Sequence, residues 1–142
     1  MSSSSSTAQS HKGSCLCKKV QFEVTGKPFT FFVCHCSNCK KASGSAFMAN
    51  VFFKEDQFRL LEGADSIRVY EDSDVESGAT LHRSFCGNCG SSLFLANSKR
   101  PGNRIIASGT IDGAHDWTPV KEVFGHRKIG WLHDDIIKRA RL

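Results

Sequence analysis

Residues 20–44 read VQFEVTGKPFTFFVCHCSNCKKASG, and the character of the chain turns on this stretch. Val20, Phe22 and Val24 alternate with Gln21 and Glu23, the period of a half-buried strand. Gly26-Lys27-Pro28 predicts a turn. Phe29–Val33 is rich in β-prone side chains and runs directly into Cys34-His35-Cys36-Ser37-Asn38-Cys39. Asn38–Ala42 predicts a helical turn that Gly44 stops. A strand thus delivers several thiols to one place.

Outward from there the same pattern repeats. Ala46–Phe53, Phe58–Leu61, Ser66–Tyr70, Thr80–Phe85, Ser92–Ala96 and Arg104–Ser108 are strand candidates separated by Gly, Asn and Asp turns. Short strands at such intervals predict a mainly β domain. Asp134–Arg141 is the one segment expected to end the chain as a short C-terminal helix, with Asp134 and Asp135 at its start and basic residues at its finish. Residues 1–12, low-complexity Ser, Thr and Gln, predict a disordered Ser-rich tail. The 142 residues suit one domain, expected at 13–142, and show no fixed-period repeat. No run approaches the roughly 20 apolar residues of a membrane span. The polar Met1–Ser10 does not resemble a secretory signal, so the cytoplasm is the expected compartment. The eleven phenylalanines are most simply core.

Seven cysteines in a reducing compartment are poor candidates for a disulfide framework, and an odd number cannot pair completely. They form three clusters: Cys15-Leu16-Cys17, Cys34 to Cys39, and Cys86-Gly87-Asn88-Cys89-Gly90. The last has the spacing of a zinc knuckle, in which a tight turn with flanking glycines presents two sulfurs to one ion. Cys15 and Cys17, one residue apart and so on one strand face, complete a closed four-thiolate structural site. That leaves Cys34, Cys36 and Cys39, three ligands and one vacancy, the pattern of a catalytic zinc. Two zinc ions per chain are therefore expected. Other arrangements remain open in the residues: His35 as a fourth ligand, a C-x-x-C redox pair, or Cys15 and Cys17 joining the middle cluster. Strand alternation points His35 away from the face shared by Cys34 and Cys36.

Three thiolates leave zinc a weak activator of water but a suitable partner for a fourth, incoming thiol, which it would hold as thiolate. Carbon–sulfur bond making and breaking on a small carbonyl is the chemistry that follows. Lys40 and Lys41 stand beside Cys39, where they would attract an anionic thiol, although two adjacent lysines are more simply a solvated surface. The net charge of +5 would suggest nucleic acid, but seven thiolates with two divalent ions remove much of that excess and the basic residues are scattered.

With Gly13-Ser14-Cys15-Leu16-Cys17, then Cys34 through Gly44, then Phe85-Cys86-Gly87-Asn88-Cys89-Gly90, the chain resembles the glutathione-dependent formaldehyde-activating (GFA) family, carbon–sulfur lyases related to centromere protein V. Gly109-Thr110-Ile111-Asp112 and the segment from Pro119 through Trp131 are similar to weaker family features. The resemblance implies a β-tent fold, a structural zinc on Cys15, Cys17, Cys86 and Cys89, and a catalytic zinc on Cys34, Cys36 and Cys39. It implies interconversion of S-(hydroxymethyl)glutathione with glutathione and formaldehyde. The alternative is a non-catalytic zinc scaffold binding protein or nucleic acid, the use that relatives of centromere protein V make of it in chromatin. Among the remaining residues, Asp112 is a candidate proton shuttle if it lies near the open zinc, and otherwise a turn cap. Glu122 and Arg127 are a candidate ion pair, Trp117 and Trp131 are expected to pack, and His82, His115, His126 and His133 lack ligand spacing. The terminal Ala140-Arg141-Leu142 is a variant of the small-basic-leucine peroxisomal tripeptide, a second candidate address.

Overall fold

The alternation at residues 20–24 becomes strand β2 (Gln21–Thr25), which buries Phe22 and Val24 completely. The structure, a computed structural model, describes residues 8–113, 115–133 and 136–137. β2 is flanked by β1 (Ser10–Ser14) and β5 (Phe58–Glu62), antiparallel to both, in a three-stranded sheet. β1 starts inside the expected tail: Ser10, His11 and Lys12 pair with Thr25, Val24 and Glu23. Ser-His-Lys-Gly-Ser carries no apolar alternation, so only the partner strand makes it a strand. Its Gly13 lies over Phe22, where a Cβ would come within 2.2 Å of the ring, so the close approach requires glycine. The tail's first seven residues lie outside the described ones.

The second sheet has seven strands. In chain order these are β3 (Thr30–Cys34), β4 (Met48–Lys54), β6 (Ile67–Asp72), β7 (Leu81–Cys86), β8 (Ser92–Asn97), β9 (Arg100–Ala107) and β10 (Lys121–Val123). Their spatial order is β10-β3-β4-β9-β8-β7-β6. The named strands pair antiparallel with one exception, β10, which the sequence pattern does not mark and which pairs with β3 in parallel. A three-residue strand has too few positions to show a period.

Alternation gives this sheet two different faces. From β4, Val51 and Phe53 point into a core shared with the three-stranded sheet, together with Phe22, Val24, Phe94 and Ile106. Each such side chain contributes about 1.5–3 kcal/mol by leaving water. Met48 on the opposite face joins Cys34, Leu95 and Ile105 in a second cluster. Between β3 and β4, helix α1 (Ser37–Ser43) is capped by Cys36, whose sulfur accepts the Cys39 N–H, and ends at Gly44 with φ of 66°.

Near the C-terminus only Ile136 and Ile137 of the expected helix are described, both helical; the remainder and the terminal tripeptide lie outside the described residues. Trp117 packs against Phe53, with ring centroids 5.7 Å apart, but Trp131 is 65% exposed and packs no core. No helix among the described residues is long and apolar enough to cross a membrane.

Candidate metal centres

The fold gathers the seven thiols into two groups, Cys15, Cys17, Cys86 and Cys89 in one, Cys34, Cys36 and Cys39 in the other, with the sulfurs of each group within 4.8 Å of one another. In the first, Cys15 and Cys17 do not share a strand face as expected. They sit in the turn after β1, closed by the Lys18 N–H donating to the Cys15 carbonyl and by Lys18 at φ of 67°. Cys86 ends β7, and the Gly90 N–H donates to its carbonyl to form the knuckle. Of the knuckle glycines only Gly90 has positive φ. Backbone N–H groups of Asn88 and Cys89 point at the Cys86 sulfur, and that of Val20 at the Cys15 sulfur. The Ser91 hydroxyl, followed by backbone N–H groups, holds the Cys89 thiol down to about 5.

Tetrahedral zinc with Zn–S bonds of about 2.3 Å separates its sulfurs by about 3.8 Å. Here Cys15–Cys17 and Cys17–Cys86 are 3.6 and 3.8 Å apart, and all seven thiols are free. The spacing fits a four-coordinate ion and is far too long for a disulfide.

In the second group, Cys34 arrives on β3, Cys36 caps α1 and Cys39 returns from its first turn. All three are buried. Without an ion they share protons unequally. Cys36 is held down to about 2 by the thiols of Cys34 and Cys39, which donate to its sulfur. Cys34 is pushed far up because its proton is engaged by Cys36, and burial adds to this. A divalent ion bound by the three sulfurs would take the place of these shared protons.

His35 is fully buried and turned toward β10, where its Nε2 donates to Glu122 Oε1 at 2.7 Å, so it does not join the sulfurs. Burial works against ionisation of Glu122, but His35 and Lys128 outweigh it and hold the carboxyl below its usual range. The expected Glu122–Arg127 pair does not form. Lys128 reaches Glu122 at 3.5 Å, and Arg127 pairs instead with Glu76 at 2.8 Å. His126 also bonds to Glu76.

Three residues that supply no sulfur support the second group. Arg83 on β7 donates from Nε to Asp72 at 2.8 Å, while its Nη2 lies 3.9 Å from the Cys39 sulfur. Asp72 also accepts from Asn38 Nδ2 on α1, which reaches the Asp74 carbonyl as well. A buried cation thus faces the sulfurs, and a buried anion fixes both the cation and the helix. The cysteine spacing carries no trace of this, because Arg83 is 44 residues from Cys39.

Cys34, Cys36 and Cys39 line one end of a cavity of about 690 Å³, whose walls include Phe32, Phe52, Leu95, Ile105 and Phe124. Several phenylalanines expected only as core therefore line open space. Asp112 does not line it; its N–H donates to Lys12 on β1. Lys40 reaches across to the Arg127 carbonyl at 2.6 Å, leaving Lys41 as the exposed member of the pair.

Fold and site together define a mainly β protein with two cysteine groups of metal-ligand geometry, one of them opening on a cavity. The chain belongs to the glutathione-dependent formaldehyde-activating enzyme (GFA) family, which it matches over residues 10–127. It is 29% identical over 91 residues to a Halomonas elongata protein named for glutathione-dependent formaldehyde activation, covering 63% of this chain and 58% of that one. It is 30% identical over 93 residues to a Schizosaccharomyces pombe protein named as an uncharacterized lyase, covering 64% and 62%. The matches thus span about three fifths of those relatives. A solved Rhodobacter sphaeroides protein shares the fold with a TM-score of 0.59 at 20% identity, over 79% of this chain and 99% of that one.

Proposed function

We propose that this chain is a zinc-dependent carbon–sulfur lyase that interconverts a thiol, glutathione, and a small aldehyde with their S-hydroxyalkyl adduct. The observation that carries the proposal is that the three-sulfur group, and not the four-sulfur group, lines the large cavity. Family membership and the relatives' names support the same chemistry. Zinc on Cys34, Cys36 and Cys39 would supply the positive charge that keeps an incoming thiol as thiolate.

The rest falls to the protein. Arg83 faces the thiolates and offsets their negative charge, and Asp72 with Asn38 holds α1 so that Cys36 and Cys39 stay on the cavity. In the synthetic direction the thiol sulfur attacks the carbonyl carbon and the C–S bond forms. The carbonyl electron pair moves to oxygen, which takes up the proton released by the thiol. In reverse the C–S bond breaks and the same atoms return.

The test is turnover of glutathione with formaldehyde by the purified full chain, alongside a zinc count. Two ions per chain, with turnover lost on mild chelation that removes one, are expected. A single ion with no turnover would make the chain a scaffold.

A further inference from the structure

The cavity of about 690 Å³ is walled largely by apolar side chains, and those on its sheet face are arranged in order. On the cavity face, strand register lays out successive rows from the sulfurs outward, each about 6.6–6.8 Å beyond the last. Cys34 and Met48 form the first row, Phe32 and Asn50 the second, and Thr30, Phe52 and Ile105 the third. Leu95 extends the third row from β8.

The aromatic rings of the outer rows touch one another. Phe32 and Phe52 have centroids 4.8 Å apart, and Phe29 follows at 6.0 Å from Phe52, itself 47% exposed. The charged lining residues are Asp74, Glu76, Arg100 and Arg127, all outside these rows, and Arg127 is engaged by Glu76. Asn50 stands in the second row, level with Phe32 and one row from Cys34. It is only 6% exposed, lines the cavity, and its buried Oδ1 has no hydrogen-bond partner. A buried unpartnered amide is costly, and a bound molecule that supplies a partner removes the cost.

We propose that the cavity takes the glutathione adduct of a bulky apolar aldehyde, aryl or branched alkyl, with the Asn50 amide on its carbinol oxygen and the aldehyde's side chain along Phe32 and Phe52. This rests on the lyase reading and names its substrate class. The carbinol carbon is one bond from the sulfur and carries both the oxygen and the substituent, so an oxygen held at Asn50 leaves the substituent to run past Phe32 toward Phe52. An amide offers both a donor and an acceptor, matching an oxygen that is carbonyl on one side of the reaction and hydroxyl on the other. Glutathione's charged ends remain at the rim, outside the apolar rows.

The zinc-loaded full chain is assayed with glutathione and, in turn, formaldehyde, isobutyraldehyde and phenylacetaldehyde, following exchange between free aldehyde and adduct by NMR. The expected result is a kcat/KM at least about tenfold higher for phenylacetaldehyde than for formaldehyde, because each buried CH2 adds binding. Asn50→Leu is expected to lower kcat/KM about tenfold or more for every aldehyde, with zinc content and Tm unchanged or Tm raised. A merely structural asparagine would instead lower Tm. Asn50→Ser repeats the measurement if leucine is not accommodated. Equal or better turnover of formaldehyde overturns the substrate class and leaves the lyase reading standing. Full activity in a folded Asn50 variant overturns the role of Asn50. No turnover of any aldehyde by protein holding two zinc ions overturns the lyase reading, and this inference with it.

Discussion

The two cysteine groups use the same ligand chemistry in opposite settings. The four-sulfur group brings the turn after β1 to the knuckle after β7, two segments some 70 residues apart, so that a bound ion would tie the two sheets together. Its sulfurs receive backbone N–H groups and a serine hydroxyl and line no part of the large cavity. The three-sulfur group lies within one continuous segment, residues 34–39, and crosslinks nothing remote. It is surrounded by side-chain support, Arg83, Asp72 and Asn38, and opens on a cavity. Crosslinking distant segments is how a metal stabilises a fold, whereas a local ligand set with an open side is how it meets a substrate.

The largest contrast should appear on removing one sulfur from each group. Cys89→Ser is expected to unfold or aggregate the protein, since structural zinc binding is of the order of 10 kcal/mol. Cys36→Ser is expected to stay folded and lose turnover, because serine still caps α1. Circular dichroism melts with zinc counts check both, and the contrast is broken if both variants unfold. The two faces of the large sheet come next. Phe22→Ala, between the sheets, is expected to cost about 3–5 kcal/mol, and Phe52→Ala, on the cavity, clearly less, as measured by denaturant titration.

Arg83→Met leaves Asp72 without its cation and is expected to cost about 1–3 kcal/mol, while weakening chelator resistance at the three-sulfur group alone. Equal weakening at both groups would remove the distinction between them. The smallest effect concerns Glu76, whose carboxyl is held below its usual range by Arg127 and, beyond that, His126. Because its folded pKa is lowered, the stability it contributes is complete above the ordinary carboxylate pKa of 4.5 and is lost as pH falls through the lowered value. Glu76→Gln should therefore show its full, small loss near neutrality and converge with the parent as the pH falls, a small difference in Tm read from pH 6 to pH 3.

Much of this was legible along the chain. Val20, Phe22 and Val24 revealed their strand through period, and Asn38–Ala42 its helix through the stop at Gly44. β1 has no period of its own, because His11, Lys12 and Gly13 are held by backbone pairing and by the close approach to the ring of Phe22. Trp131 looked like core by composition alone, yet the fold leaves it exposed. Glu122 and Arg127 are close in sequence, but β10 turns the first toward His35, and Arg127 finds its partner at Glu76.

The types and spacings of the residues determined a mainly β chain with thiols in three clusters, because strand period and ligand spacing are local properties that survive in one dimension. Only the tertiary structure decided that Arg83 faces Cys39, that Asp72 binds both Arg83 and Asn38, and that phenylalanines of β3 and β4 line a space instead of filling it. Those facts depend on strand register between segments distant in sequence, where a shift of one residue would turn every side chain to the other face.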